Sequence, residues 1–304
     1  MMSIFDRPLK ARRMSKLGSR RRVSNTVATV SVSLAMLIAL APLLWVLYSV
    51  VAKGIKAITS TAWWTHSQAG MTASVAGGGA YHAIVGTLLQ GLVCAAISVP
   101  IGVMVAIYLV EYGGGTRLGR LVSFMVDILT GVPSIVAALF IYALCVATLG
   151  FPRSQFAASL AWVLLMLPVI VRATEEMLRI VPMDLREASY ALGITKWKTI
   201  ARVVIPTGLS GIITGIMLAV ARAVGETAPL LILVGYSQTI NVNIFSGFMG
   251  TLPGMMYDQT LAGAGVNPVP TDRLWGTALT LILMIAVINI GARVVSILFA
   301  PKNS

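Results

Sequence analysis

The stretch LAVARAVGETAPL, residues 218–230, carries Arg222 and Glu226 four positions apart inside a long apolar run. A permanently charged guanidinium placed there either closes an ion pair with the neighbouring carboxylate or offers its planar fork to an oxyanion that has lost some of its water. On a continuous helix the two side chains share a face one turn apart, so both readings stand. In the first, the pair fixes helix packing. In the second, Arg222 binds a tetrahedral anion and Glu226 holds the arginine while the site is empty. Helical periodicity gathers Gly211, Gly215, Arg222, Gly225, Glu226 and Pro229 into one stripe, which suits a closely packed helix or a polar pathway and does not suit lipid. An arginine midway along a spanning helix costs about 2.5–3.5 kcal/mol on insertion scales, so it needs a partner or a wet cavity.

Two further ionisable residues fall in apolar surroundings. Asp127 precedes a Gly131–Pro133 kink and either neutralises a basic group in the pathway or caps a broken helix. Arg172 ends the fourth apolar run, where it is an interfacial anchor or a group that attracts an anion. A membrane-embedded enzyme using Glu226 and Asp127 as acid and base is the alternative from another class, but HExxH, GxSxG and clustered histidines are all missing. There is no GxxxxGK[ST] phosphate loop and no Gly-Lys dipeptide, which excludes ATP binding in that manner. Cys94 and Cys145 lack a CxxC pattern and read as small buried hydrophobes. His66 and His82 have no metal-ligand spacing, and no metal or cofactor is expected.

The elements that must position these groups are helices in a bilayer. With 57% hydrophobic residues, 11% charged residues and a mean hydropathy of +0.88, the chain is no soluble globular domain. Six apolar runs reach the roughly 20 residues a bilayer core demands: 27–51, 84–110, 121–149, 156–173, 208–235 and 274–300. The first begins far from Met1 and has no Ala-x-Ala site, so it is expected to be retained. The organisation is thus a basic tail over 1–26, a first span over 27–51, and a five-span core over 84–300 with a polar connection at 174–206.

Lys and Arg crowd the tail and also occupy the second-to-third and fourth-to-fifth connections and the C-terminus, where Lys302 lies. The alternate loops hold Lys53, Lys56, Arg153 and Arg273. By the positive-inside rule both termini are cytoplasmic, and most of the formal charge of +13 is an orientation signal. Trp63 and Trp64 are expected to anchor at the outer interface, and the outward segment 236–272 to be irregular.

The 174–206 connection predicts a short helix on the cytoplasmic face, stopped before by Pro182 and left through Gly193. Tyr190, Leu192, Ile194 and Trp197 are more apolar than a solvated loop requires, so a partner surface is expected over them. Here the sequence resembles the coupling motif of ABC importer permeases. Glu187-Ala188-Ser189 is followed by three residues, Gly193, nine residues and then Val203-Val204-Ile205-Pro206. Ser stands for the second alanine of the motif, Val for Ile and Ile for Leu. The run Leu129 to Phe140, with Gly131-Val132-Pro133-Ser134, and the run Arg222 to Leu230 resemble phosphate importer permeases, the latter the PstA branch through Thr227-Ala228-Pro229-Leu230. The similarity covers roughly 84–233.

That resemblance implies a type I ABC importer permease fold and a subunit that imports inorganic phosphate by alternating access. It implies Arg222, Glu226, Arg172 and Asp127 along the pathway, and Glu187, Ala188, Ser189, Gly193 and Pro206 at the coupling surface. The implied partners are two PstB-like ATPases that bind the ATP, a PstC-like membrane mate and a PstS-like phosphate-binding protein outside. An importer of sulfate or molybdate with the same architecture is the near alternative.

Overall fold

Apolar runs punctuated by Gly, Pro and hydroxyl caps fold here almost entirely as helix. The computed structural model describes residues 19–299; the basic tail as far as residue 18, and Lys302, lie outside the described residues. The helices are α1 (Ser19–Ile58), α2 (Thr61–Thr65), α3 (Tyr81–Ile107), α4 (Arg117–Thr130), α5 (Ser134–Ile141), α6 (Gln155–Ile180), α7 (Met183–Ala191), α8 (Lys196–Thr199), α9 (Ile205–Val224), α10 (Ala228–Leu233), α11 (Leu252–Leu261) and α12 (Pro268–Phe299). Three π-helical turns, Tyr108–Tyr112, Tyr142–Thr148 and Ile200–Val204, extend α3 and α5 and join α8 to α9. Hydroxyls start several helices by accepting an orphan backbone N–H: Thr116 from Gly119, Ser154 from Ala157 and Thr251 from Gly254.

Five helical stretches are long and apolar enough to cross a bilayer, and a sixth crossing results if the α4–α5 pair is counted as one. That pair occupies the expected third span, 121–149, and is broken at the Gly131–Pro133 kink. Its two arms meet at 109°, because Pro133 has no N–H to continue the ladder and disfavours helical backbone at Val132, while Gly131 supplies little resistance to the break.

The fifth span differs from expectation. It runs unbroken from Lys196 to Val224, so Lys196, Lys198 and Arg202 lie on the helix rather than in a loop, and the helix stops well short of residue 235. Pro206 lies inside this continuous span, just after the π-helical turn Ile200–Val204, whose wider winding accommodates the missing N–H. The segment 236–272 is not wholly irregular: it contains α11 and the start of α12.

The chain divides after Ser49 into two compact units. The first holds most of α1, whose side chains from Val23 to Tyr48 are exposed. In the second, α6 is the central helix, with α3, α4, α5, α9 and α10 packed on it. Its most apolar window is 61% buried, against 28% or less for the other long helices, so the outer helices keep apolar faces for lipid or neighbouring subunits. The main core gathers Cys94, Trp162, Met166, Ile170, Ala219, Ala223, Leu233 and Met249. Both cysteines are free and buried. Trp63 belongs to a second core cluster and donates its indole N–H to Thr280 at 2.9 Å. The interfacial role expected for the tryptophan pair is therefore corrected for Trp63, whereas Trp64 remains exposed.

Candidate functional site

Close approach of α6 and α9 sets the frame. A Cβ on Gly215 would lie 2.4 Å from the Ala173 Cβ, and one on Gly211 would lie 2.0 Å from the Met177 sulfur. The glycine part of the predicted stripe is thus a helix–helix contact, since only a hydrogen fits between the two backbones. The charged part lies elsewhere along α9. Arg222 is in its last turn, level with Leu165 and Met166 of α6. Gly225, Glu226 and Thr227 form the break before α10.

The helix break overturns the mid-helix, one-turn-apart geometry expected of Arg222 and Glu226. The Glu226 amide donates to Ala223 O at 2.9 Å in the closing turn, and among the described residues no ion pair or hydrogen bond joins the two side chains. Arg222 is exposed and Glu226 half-buried, and both border the same shallow depression. Arg222 lies at the negative end of the α9 dipole, which lowers the cost of its charge without using any of its donors.

Arg172 has the opposite condition. Its Nε and one terminal nitrogen donate to Asp127 Oδ1 at 3.1 and 2.5 Å, and the other terminal nitrogen donates to Glu175 Oε2 at 2.5 Å. Ser123 accepts through its hydroxyl at 2.8 Å and its carbonyl at 3.1 Å. Glu175, only 7% exposed, accepts in addition from Arg179 at 2.5 Å. Of the two roles open for Asp127, the geometry selects neutralisation of a basic group. Gly215 packs beside Ala173, so Arg172 lies about 10 Å, roughly two turns of α9, from Arg222 along the helix pair.

The 174–206 segment folds as a short helix and a turn. Glu187 and Ala188 are exposed on α7, and the chain leaves through Gly193 at φ +73°. Ser189, where the motif has alanine, is buried, and its hydroxyl meets the Thr199 hydroxyl at 2.8 Å. The departure from the motif is therefore matched by a bond from α7 to α8. Leu192 is 80% exposed and Trp197 67% exposed, leaving an apolar surface uncovered.

Several polar residues were not singled out from the sequence. Glu175 and Ser123 complete the Arg172 cluster, yet sequence spacing gives no sign of Ser123. Glu111 pairs with Arg186 across 75 positions. Gln90 and Gln155, both fully buried, bond at 2.7 Å between α3 and α6; an amide inside an apolar run was the available signal. Arg273 is buried and donates to the carbonyls of Thr72, Val75 and Gly77, holding the Gly-rich loop. Nearby, burial pushes the Asp258 carboxyl above its ordinary range and the Tyr236 hydroxyl likewise upward.

A bent third span, a short exposed helix before the fifth span and a central α6 together specify a particular architecture. The family model described as binding-protein-dependent transport system inner membrane component matches residues 98–304. The chain belongs to that family. This inner membrane component is a multi-pass, all-helical protein and a transport subunit rather than an enzyme. Among similar proteins, the phosphate transport system permease protein PstA 1 of Mycobacterium tuberculosis (strain CDC 1551 / Oshkosh) is 52% identical over 96% of this chain and 94% of that one. The phosphate transport system permease protein PstA of Mycobacterium leprae (strain TN) is 54% identical over 95% and 94%. Among solved structures, an alginate ABC transporter with its periplasmic protein aligns at TM-score 0.60 with 13% identity, covering 91% of this chain and 95% of that one. The inward-facing MetNI methionine ABC transporter aligns at 0.57 with 20% identity, covering 73% and 94%. These structures share the fold of this inner membrane component.

Proposed function

We propose that the chain is the transmembrane permease subunit of an ATP-driven importer of inorganic phosphate, forming half of the translocation pathway. One observation carries the reading: relatives 52–54% identical over about the whole chain are named phosphate transport permeases. The geometry supports it. Among the described residues the Arg222 fork has no protein partner at the break after α9, which suits a tetrahedral oxyanion. Arg172 is neutralised by Asp127 and Glu175 and therefore supports the pathway by position more than by free charge. Glu226 borders the same depression and is proposed as the carboxylate that balances the arginine's charge while the site is empty.

Energy enters through α7. Two PstB-like ATPases bind the ATP, and this chain needs no cofactor of its own. The exposed Leu192 and Trp197 and the open turn at Gly193 suit an ATPase surface. Glu187, Ala188, Ser189, Gly193 and Pro206 make up the coupling element, with both termini on the same cytoplasmic side. A PstC-like permease is the membrane mate, and a PstS-like protein delivers phosphate from outside. ATP-driven closure of the ATPases moves the coupling helices and opens the outer side.

The test is uptake of radiolabelled phosphate by vesicles holding the assembled transporter, with sulfate as competitor. Phosphate enters and excess sulfate leaves uptake unchanged. Arg222→Gln lowers uptake per assembled complex about tenfold or more, and Arg222→Lys recovers little, since an ammonium lacks the bidentate fork. Uptake blocked by sulfate would favour the wider oxyanion reading. Near-normal uptake by Arg222→Gln would remove the arginine from the pathway.

A further inference from the structure

The helix at the coupling surface is bolted to the end of α3 by an ion pair that nothing above has used. Arg186 precedes Glu187 on α7, yet it points inward. Its guanidinium donates to Glu111 Oε1 from Nε at 3.3 Å and from a terminal nitrogen at 3.0 Å. The same side chain donates to Val181 O at 2.6 Å and Leu178 O at 2.9 Å. These are carbonyls left over at the C-terminal end of α6, so Arg186 caps that helix as well. The Arg186 and Glu111 side chains are only 9% and 7% exposed.

A second strut lands on the same turn. Lys196, at the start of α8, donates to Glu111 O and places its ammonium 4.6 Å from the centre of the Tyr112 ring. Arg186 and Lys196 flank the exposed stretch from Glu187 to Thr195, and both are fixed to the π-helical turn Tyr108–Tyr112 that ends α3. A push on the exposed stretch therefore reaches α3 and α6 through directional bonds, those of Arg186 largely buried and that of Lys196 exposed. A surface ion pair would slip under such a load. A buried pair with two forked bonds and two carbonyl caps resists displacement, because separating it strands a charge out of water.

We infer that the Glu111–Arg186 pair, seconded by Lys196, is the positioning device that turns motion of the coupling helix into motion of α3 and α6. The inference rests on the reading of α7 as the ATPase contact. It assigns to Glu111 and Arg186 a role in transmission, distinct from docking and from binding the anion. Loss of the pair leaves the ATPases bound and hydrolysing while less anion moves for each ATP spent.

The experiment measures anion taken up and ATP hydrolysed per assembled complex in reconstituted vesicles, for the wild type, Glu111→Gln, Arg186→Lys and Arg186→Gln. Anion taken up per ATP falls about fivefold or more in Glu111→Gln, with the amount of assembled complex retained. Arg186→Lys, which keeps the charge and loses the fork, falls between the wild type and Arg186→Gln. Adding Glu111→Gln to Arg186→Gln lowers the ratio no further, since each change already abolishes the same ion pair. An unchanged ratio in Glu111→Gln and Arg186→Lys, with only the yield of complex reduced, overturns the inference and leaves the pair as a structural clamp. The ratio is read with whichever oxyanion the wild type transports, so an error in the substrate and an error in the transmission role give different results.

Discussion

Arg222 and Arg172 have the same chemistry and opposite surroundings: Arg222 stands in the last turn of α9, whereas Arg172 lies inside α6 within reach of Asp127 and Ser123 on α4. Around Arg172, Glu175 is the member whose loss should matter most. It is buried and accepts from both Arg172 and Arg179, whereas Asp127 is 63% exposed and serves Arg172 alone. Glu175→Gln should therefore cost about 1.5–3 kcal/mol, the usual worth of hydrogen bonds to a charged group, since Arg172 and Arg179 keep access to water, and Asp127→Asn about 1 kcal/mol or less. The check is the thermal midpoint of each variant in detergent; equal midpoints would show that burial does not govern this cluster. Residue chemistry at these positions was legible in the sequence, because charge in an apolar run is a strong signal. The pairing was not. Arg222 and Glu226 read as partners only if the helix continues, and the break over 225–227 ends it. Of the partners of Arg172, Glu175 lies one helical turn on, but Asp127 and Ser123 lie 45 and 49 positions away on α4, at separations that periodicity cannot reach.

Elements were legible where one principle acted alone and misread where two competed. Uniform hydropathy gave the core of each long helix, and the coupling-motif spacing placed α7 and its glycine exit. Break points were harder: Pro100 and Pro168 are absorbed inside α3 and α6, while Pro133 splits its span with help from Gly131. The loop at Gly193 carries the clearest element-scale prediction. Nothing lies within 4 Å of a Cβ built there, so bulk is admitted and only the positive φ restricts the choice. Gly193→Val should strain the turn by about 1–2 kcal/mol, tilt α7 relative to α8 and reduce recovery of the ATPase with the membrane complex. Gly193→Asn, which tolerates the left-handed region, should retain the ATPase. Equal recovery with both variants would detach the turn's geometry from docking.

Across the whole molecule, the positive-inside rule predicts that the coupling face and the termini are cytoplasmic. The structure supplies suitable reporters for this orientation. Both native cysteines are buried, so background labelling is low. Val266, 89% exposed, and Leu192, 80% exposed, lie in connections that the orientation puts on opposite sides. A membrane-impermeant thiol reagent applied to intact cells should label Val266→Cys and spare Leu192→Cys, with both labelled after permeabilisation. The reverse pattern would invert the topology. The overall architecture was the most legible level, because a bilayer leaves helices as the only economical solution for long apolar runs in this composition. The Gly131–Pro133 kink was legible but not its 109° angle, and the structured 252–261 segment was not, since α11 depends on packing against α12 and α3.

The π-helical turn at Ile200–Val204 gives the fifth span one more residue per turn than its neighbours need. A helix with such a surplus behaves as a shaft with an offset built into it. Because the wider turn absorbs that surplus, removing a single residue there would restore ordinary winding and leave Lys196 beside the Glu111–Tyr112 turn and Thr199 beside Ser189. The same deletion in the regular part of α9 has no such slack and would rotate everything before it by about 100° relative to Arg222. The angular phase between the cytoplasmic contacts and the Arg222 end is thus written into chain length, independent of any side chain.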